Sequence, residues 1–261
     1  MRGTRLAHLH PLERESRVTF AEDAHVYTVD GQRVPRSVTG LLHSFATDFD
    51  SQQIVENMGI KDPEEILRLW RMNGKVKSAR GTLLHYHAEQ MLNSVPIETP
   101  HSPELQQACA VHEYFIGLGL QPFRTEVNVF HNGLRVAGQP DAIYNDEKGY
   151  LIIVDWKRVQ EIRAHSSFRS LRPPLEHLPD TNLWLYALQL NLYAYILESE
   201  YGFTVASMYL AQVHPNLESP RVLPVPRMDD EIQLIEAHEI GQGRATLPRS
   251  GKAFFELMKN N

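Results

Sequence analysis

Apolar and polar residues alternate along "VTFAEDAHVYTVDGQRVPRSVTGLL" on both sides of Asp30-Gly31, a dipeptide suited to tight turns. The pattern predicts a β-hairpin over about residues 18–36. Ser37 or Thr39 can cap a helix starting near 38. Asp62-Pro63 opens another, with proline at the first helical position and Glu64 and Glu65 in the first turn. Helical spacing then runs from about 76 to 93, breaks at "SVPIETPHSP", and resumes from about 103 until Gly117 and Gly119 stop it. Three strand-like runs follow, "FRTEVNVFH", "LRVAGQPDAIYN" and "GYLIIVDWKRV", joined by the turn formers "NG" and "NDEKG". Three consecutive antiparallel strands are the simple reading. From 159 to 180 the pattern dissolves into a long basic loop with Pro173, Pro174 and Pro179, and structureless loops of that length are uncommon and often functional. A long helix over "NLWLYALQLNLYAYILESEYG" ends at Gly202, "TVASMYLAQVH" is another strand, and the tail from Met228 reads as helix, break, short helix.

These elements predict one α/β domain over 1–261. Residues 1–17 form a loose leader, 18–75 the N-terminal hairpin and helices, 76–213 the catalytic core, and 214–261 a C-terminal helical extension. A chain of 261 residues can bury a proper core, and its 42% hydrophobic and 22% charged content is that of an ordinary soluble globular protein. No run approaches eighteen consecutive apolar residues, which excludes a membrane span, and the first residues lack the apolar stretch of a secretory signal. Cys109 stands alone, so no internal disulfide and no four-cysteine metal or iron–sulfur site can form. An intracellular setting fits, with cytoplasm, nucleus and organelle not distinguished.

The apolar run Leu151-Ile152-Ile153-Val154 reads as a buried strand, yet it ends in Asp155, Trp156 and Lys157. Residues two apart on a strand share a face, so Asp155 and Lys157 point one way and Trp156 the other. The turn near 145–149 can bring Asp141 beside Asp155. Two close carboxylates cannot both ionise cheaply unless a cation lies between them, and Mg²⁺ suits carboxylate oxygens and phosphate chemistry. Lys157 can then hold the attacking water, its pKa falling readily near positive charge and away from solvent. The plainer alternative is a structural ion pair at a strand end. On the helix "ARGTLLHYHAEQML", His85 and Glu89 lie four apart on one face, with Gly81 and Thr82 one turn earlier. Alone, that spacing is usually an exposed polar pair.

The formal charge of −6 argues against nucleic acid only if charge is spread evenly. It is not. Residues 68–80 carry Arg68, Arg71, Lys75, Lys77 and Arg80 without an acid, and 157–172 carry Lys157, Arg158, Arg163, Arg169 and Arg172 against Glu161 alone. Such runs are often solvated faces, but both adjoin the chemical motifs. Trp70, Phe168 and Trp184 are candidates for base stacking, and equally for core.

Taken in order, "G-T-x-x-H-x-x-x-E" (Gly81, Thr82, His85, Glu89), "G-Q-P-D" ending at Asp141, "I-I-V-D-W-K" ending at Lys157 and "Q-L-N-L-Y" (Gln189 to Tyr193) strongly resemble the RecB-like exonuclease branch of the PD-(D/E)xK nuclease superfamily, over roughly residues 79–200. The resemblance implies a restriction-endonuclease-like core, a mixed central sheet flanked by helices, here preceded by the N-terminal β-hairpin. It implies His85, Asp141, Asp155 and the Trp156 backbone carbonyl as metal ligands, and Lys157 as the catalytic lysine. Gln189 and Tyr193 match a pair that steadies the site and contacts the DNA backbone, although Leu185, Leu188, Leu192 and Ile196 make the same helix a core stripe. Glu89 and Glu126 could each support a second metal or orient a ligand, Glu89 ranking higher. Among basic residues, Arg80, Lys77, Lys75 and Arg158 are the expected DNA contacts.

The activity so implied is hydrolysis of DNA from single-stranded ends with one or two Mg²⁺ or Mn²⁺ ions, leaving 5′ phosphates. No iron–sulfur cluster is expected, and since no Walker motif occurs, a helicase or other replication or repair partner would be a separate polypeptide. Two other readings stay open: a structure-specific or sequence-tolerant DNA endonuclease, and a noncatalytic nucleic-acid-binding module derived from a nuclease.

Overall fold

The computed structural model describes residues 4–22, 24–48, 51–52, 55, 63–97 and 102–246. A five-stranded mixed sheet organises them, in the order β11 (Arg221–Val225), β10 (Val205–Val213), β9 (Leu151–Arg158), β8 (Ala142–Asn145) and β5 (Gln121–Thr125). β9 pairs antiparallel with β8 and parallel with β10. A parallel neighbour needs a crossover, and α5 (Asn182–Tyr201) supplies it, closed at Gly202 with φ +73°. This is the mixed sheet flanked by helices that the family resemblance implies.

Leu151 to Trp156 are buried because β9 is covered on both faces. Leu151 and Ile153 pack with α2 (Val38–His43), α5 and α6 (Asp229–Gly241). Ile152, Val154 and Trp156 pack with the second half of α3 (Pro63–Leu92) and with α4 (Pro103–Gly117). Each such side chain contributes about 1.5–3 kcal/mol by leaving water. The alternation leaves Asp155 and Lys157 on the α5 side. Caps fix the helix starts: Ser37 Oγ accepts from Gly40 N, and Ser102 Oγ from Leu105 N.

Several elements differ from the sequence expectation. The hairpin is three strands: β1 (Val18–Ala21) pairs with β2 (Val26–Val29), and Asp30-Gly31 turns β2 into the short β3 (Gln32–Arg33). The helix expected from 76 is continuous with the one opened by Pro63, since a single Gly74 costs a helix only about 1 kcal/mol. The simple meander splits. After β5 the chain turns at Glu126, φ +45°, and leaves the main sheet to form β6 (Val129–His131) and β7 (Val136–Gly138), which join β4 (Arg36–Ser37) in a separate sheet. It returns as β8 only after Pro140, which has no N–H for a ladder.

The loose leader is structured from residue 4: α1 (Thr4–Leu9) buries Leu6, and Arg14 pairs with Glu200 at 2.6 Å. The edge strand β11 has no counterpart in the sequence reading. Glu239 of α6 is fully buried between Arg36 and Arg244 and staples the C-terminal helix to β4. The expected final short helix lies outside the described residues.

Candidate metal centre

Ala142 stands opposite Val154, which sets Asp141 and Asp155 side by side where β8 begins and β9 ends. Trp156 N donates to Asp141 Oδ2 at 2.8 Å. α3 brings His85 over the same point. Its Nε2 lies 3.1 Å from the Trp156 carbonyl, so Nε2–H donates there and Nδ1 faces Asp141 Oδ1 at 3.5 Å and Glu126 Oε1 at 3.4 Å. The left-handed backbone of Glu126 aims this side chain. Its amide donates to the Asp141 carbonyl at 3.1 Å, and Gln139 Nε2 donates to its carbonyl at 3.4 Å.

The donor atoms of His85, Glu126 and Asp141 lie within 4.8 Å of one another. Ligands about 2.1 Å from one small divalent ion stand roughly 3–4 Å apart, so this set fits a single cation with little movement. Asp155 strengthens the fit. It is 1% exposed, and its Oδ1 has no hydrogen-bond partner among the described residues, an arrangement expensive for a carboxylate unless a cation approaches it. Carboxylate oxygens suit hard divalent ions such as Mg²⁺ or Mn²⁺, and the imidazole adds a ligand that transition metals favour.

Electrostatics agree. Burial, with the Asp141 charge adding to it, pushes Asp155 up to about 6, and Lys157 only partly offsets this. Burial likewise raises Asp141. For His85 burial acts downward, but Asp141 and Glu126 outweigh it and hold the imidazole at about 9. Lys157 departs from the expected fall: burial lowers it, yet Asp155 and Asp141 more than compensate and keep the ammonium above the usual lysine range.

Lys157 Nζ lies 2.7 Å from Asp155 Oδ2, donates to Gln189 Oε1 at 3.2 Å, and sits 4.5 Å above the Tyr186 ring. Gln189 Nε2 in turn meets Tyr193 OH at 3.4 Å. Tyr193 is buried and fills the space above Gly138, where an added Cβ would stand 2.8 Å from its ring. It steadies the site from within and does not reach the surface, contrary to the expected backbone contact. Glu89 is buried one turn beyond His85, lines a cleft together with His85 and Glu126, and is not in the three-donor group. Glu126, which ranked below Glu89, is the acid grouped with His85 and Asp141.

The basic runs separate. Lys75, Lys77 and Arg80 are exposed on α3. Arg158 instead turns into an ion pair with Glu104 at 2.8 Å, its side chain 7% exposed, so it is not a surface DNA contact. Arg163 pairs with Glu161, Arg172 with Asp48, and Arg169 binds Thr47 and the Asp48 carbonyl, stitching the long loop down. Trp184 donates Nε1 to the Ala164 carbonyl, whereas Phe168 is 96% exposed. Tyr186 escaped the sequence reading, although three residues before Gln189 it shares that helix face. Gln139 stands in the "G-Q-P-D" motif, but the sequence reading gave it no role of its own.

A helix-borne imidazole and carboxylates gather about one point with a lysine fixed beside them, an arrangement that could hold a divalent ion and that suits a nuclease. The sequence profile of the PD-(D/E)XK nuclease superfamily matches residues 41–250, and the chain belongs to that superfamily. Among solved structures it is similar to SSO0001, with 15% identity, a TM-score of 0.32, and coverage of 77% of this chain and 82% of that one. It is also similar to a protein of Eubacterium rectale named "Putative exonuclease", with 14% identity, a TM-score of 0.31, and coverage of 79% and 73%. No curated protein sequence matches it. No helix among the described residues is long and apolar enough to cross a membrane.

Proposed function

We propose that the chain is a Mg²⁺- or Mn²⁺-dependent deoxyribonuclease of the RecB-like branch, a single nuclease domain within the cell that shortens single-stranded DNA from its ends and leaves 5′ phosphates. The observation that carries the proposal is the convergence of His85, Glu126, Asp141 and the Trp156 carbonyl, with Asp155 and Lys157 adjoining them. One or two divalent ions held by these groups would supply Lewis acidity toward a phosphodiester oxygen. Lys157, fixed by Asp155 and Gln189, positions the attacking water and offsets charge building at phosphorus. Lys75, Lys77 and Arg80 draw in the backbone. RecB-like membership and end-directed cutting rest on the ordered motifs from Gly81 to Tyr193.

The test is hydrolysis of an end-labelled single-stranded oligonucleotide in Mg²⁺, with and without Lys157→Ala. A fall of about 100-fold or more is expected. Equal activity overturns the mechanism. A closed circular single strand should survive, and cutting it would overturn the exonuclease reading in favour of an endonuclease.

A further inference from the structure

We infer that the cleft between the N-terminal hairpin and α3 is a stacking subsite for one unpaired nucleobase next to the scissile phosphate. The inference rests on the nuclease reading of the adjoining centre. The cleft holds about 460 Å³, a volume ordinary for small-ligand pockets, and His85 and Glu126 of the metal centre form part of its lining. Phe20 and His25 line it from the hairpin. Phe20 stacks on Tyr27 at 4.4 Å and meets the His25 ring edge-on at 5.1 Å, while φ +50° at His25 sets that ring at the turn. Tyr86, 48% exposed, lines it from α3. Rings on two sides of a gap are what a flat base needs, and stacking tolerates every base.

Charge decides which part of a nucleotide enters. Glu22 and Glu89 line this cleft, and among the described residues no lysine or arginine does. With rings on its walls and no basic side chain among its described lining residues, the cleft suits a base better than a phosphate. A second cleft of about 620 Å³, lined by Lys77, Arg158, Arg163 and His214 with Glu161 its one acid among the described residues, borders the same helix within one turn of Ser78 and Gly81, which line the first. Arg158 and Arg163 are ion-paired, so among the described residues Lys77 is its principal unpaired cation. A strand crossing α3 there places its phosphates toward the cations and a base toward the rings. A paired base must first leave its partner and its stack, at a cost of about a few kcal/mol, so such a subsite favours single strands.

The test uses the full chain carrying Asp155→Asn, so that the strand is bound and not cut, with Ca²⁺ present. Fluorescence anisotropy compares a labelled oligonucleotide with one made abasic at its three terminal positions. The intact strand should bind about tenfold or more tightly. Phe20→Leu with Tyr86→Leu, which keeps apolar volume and removes one ring from each wall while His25 stays, should cut most of that difference and leave abasic binding unchanged. Equal binding of both strands, or undiminished discrimination by the double variant, overturns the inference. Base discrimination in a chain whose unmutated form does not hydrolyse the strand in Mg²⁺ would overturn the nuclease reading alone and leave the subsite standing.

Discussion

Asp141 and His85 are tied to the same residue of β9: the Trp156 amide donates to Asp141 Oδ2 at 2.8 Å, and the Trp156 carbonyl faces His85 Nε2 at 3.1 Å. The first tie needs an acceptor and no charge. Asp141→Asn keeps an oxygen for the amide and removes the charge, while Asp141→Ala removes both and leaves a buried N–H unpaired, at about 1–3 kcal/mol. Because burial raises the Asp141 pKa, its ionised form opposes folding at neutral pH, and Asp141→Asn should unfold in chelator at a temperature equal to or above that of the unmodified chain. Its hydrolysis in Mg²⁺ should fall about 100-fold or more. Thermal unfolding in EDTA beside an oligonucleotide assay reads both, and activity near the original level would remove Asp141 from the centre.

Glu126 and Glu89 can be told apart by metal-linked stability. A cation that binds only the folded chain adds about 2.7 kcal/mol at 100 times its Kd. Since Glu126 Oε1 is grouped with His85 and Asp141 and Glu89 is not, Glu126→Gln should abolish the rise in Tm caused by Mn²⁺, and Glu89→Gln should retain most of it. A scan of Tm against Mn²⁺ concentration checks this. The reverse order would return Glu89 to the rank the helix spacing suggested.

What the sequence reveals here follows the range of the interaction. α4 was legible end to end, because Ser102, Pro103 and Gly117 are local signals. Asp155 and Lys157 were legible because an apolar strand should not end in charge. Asp141 was legible through its turn. Glu126 was named but ranked below Glu89, because its left-handed turn sits inside "FRTEVNVFH", which alternates as a plain strand does, and its partner His85 is 41 residues away. Arg158 read as a surface cation because Glu104, which buries it, lies 54 residues earlier on another helix. β11 was missed because Pro224 and Pro226 punctuate it, and an edge strand tolerates them.

Protons should compete with metal at His85. Its folded pKa, near 9, lies above the ordinary 6.5, so protonation favours the folded, metal-free chain. That contribution is fully present below about pH 6.5 and is lost as pH rises through about 9. The Tm difference between the unmodified chain and His85→Gln, both in chelator, should therefore shrink from pH 6.5 to 9.5. Metal needs the neutral ring, so its affinity should rise over the same range, with proton release on binding. Calorimetry at pH 7.5 in two buffers of different ionisation enthalpy measures that release. A Tm difference that grows with pH would mean His85 is held neutral and the carboxylates do not control it.

Strand binding should depend on salt through α3 and not through Arg158. Each phosphate neutralised on a single strand contributes about 0.7 to the slope of log K against log salt. Lys75, Lys77 and Arg80 are exposed beside the centre, so replacing all three with Gln should reduce the slope by about 2 and weaken binding evenly across sequences. Arg158 already spends its charge on Glu104, and its substitution by Gln should leave the slope unchanged while lowering stability, because a buried carboxylate loses its partner. Anisotropy titrations between about 50 and 200 mM salt separate the two. A lower slope for Arg158→Gln, with none for the triple variant, would move the phosphate path off α3.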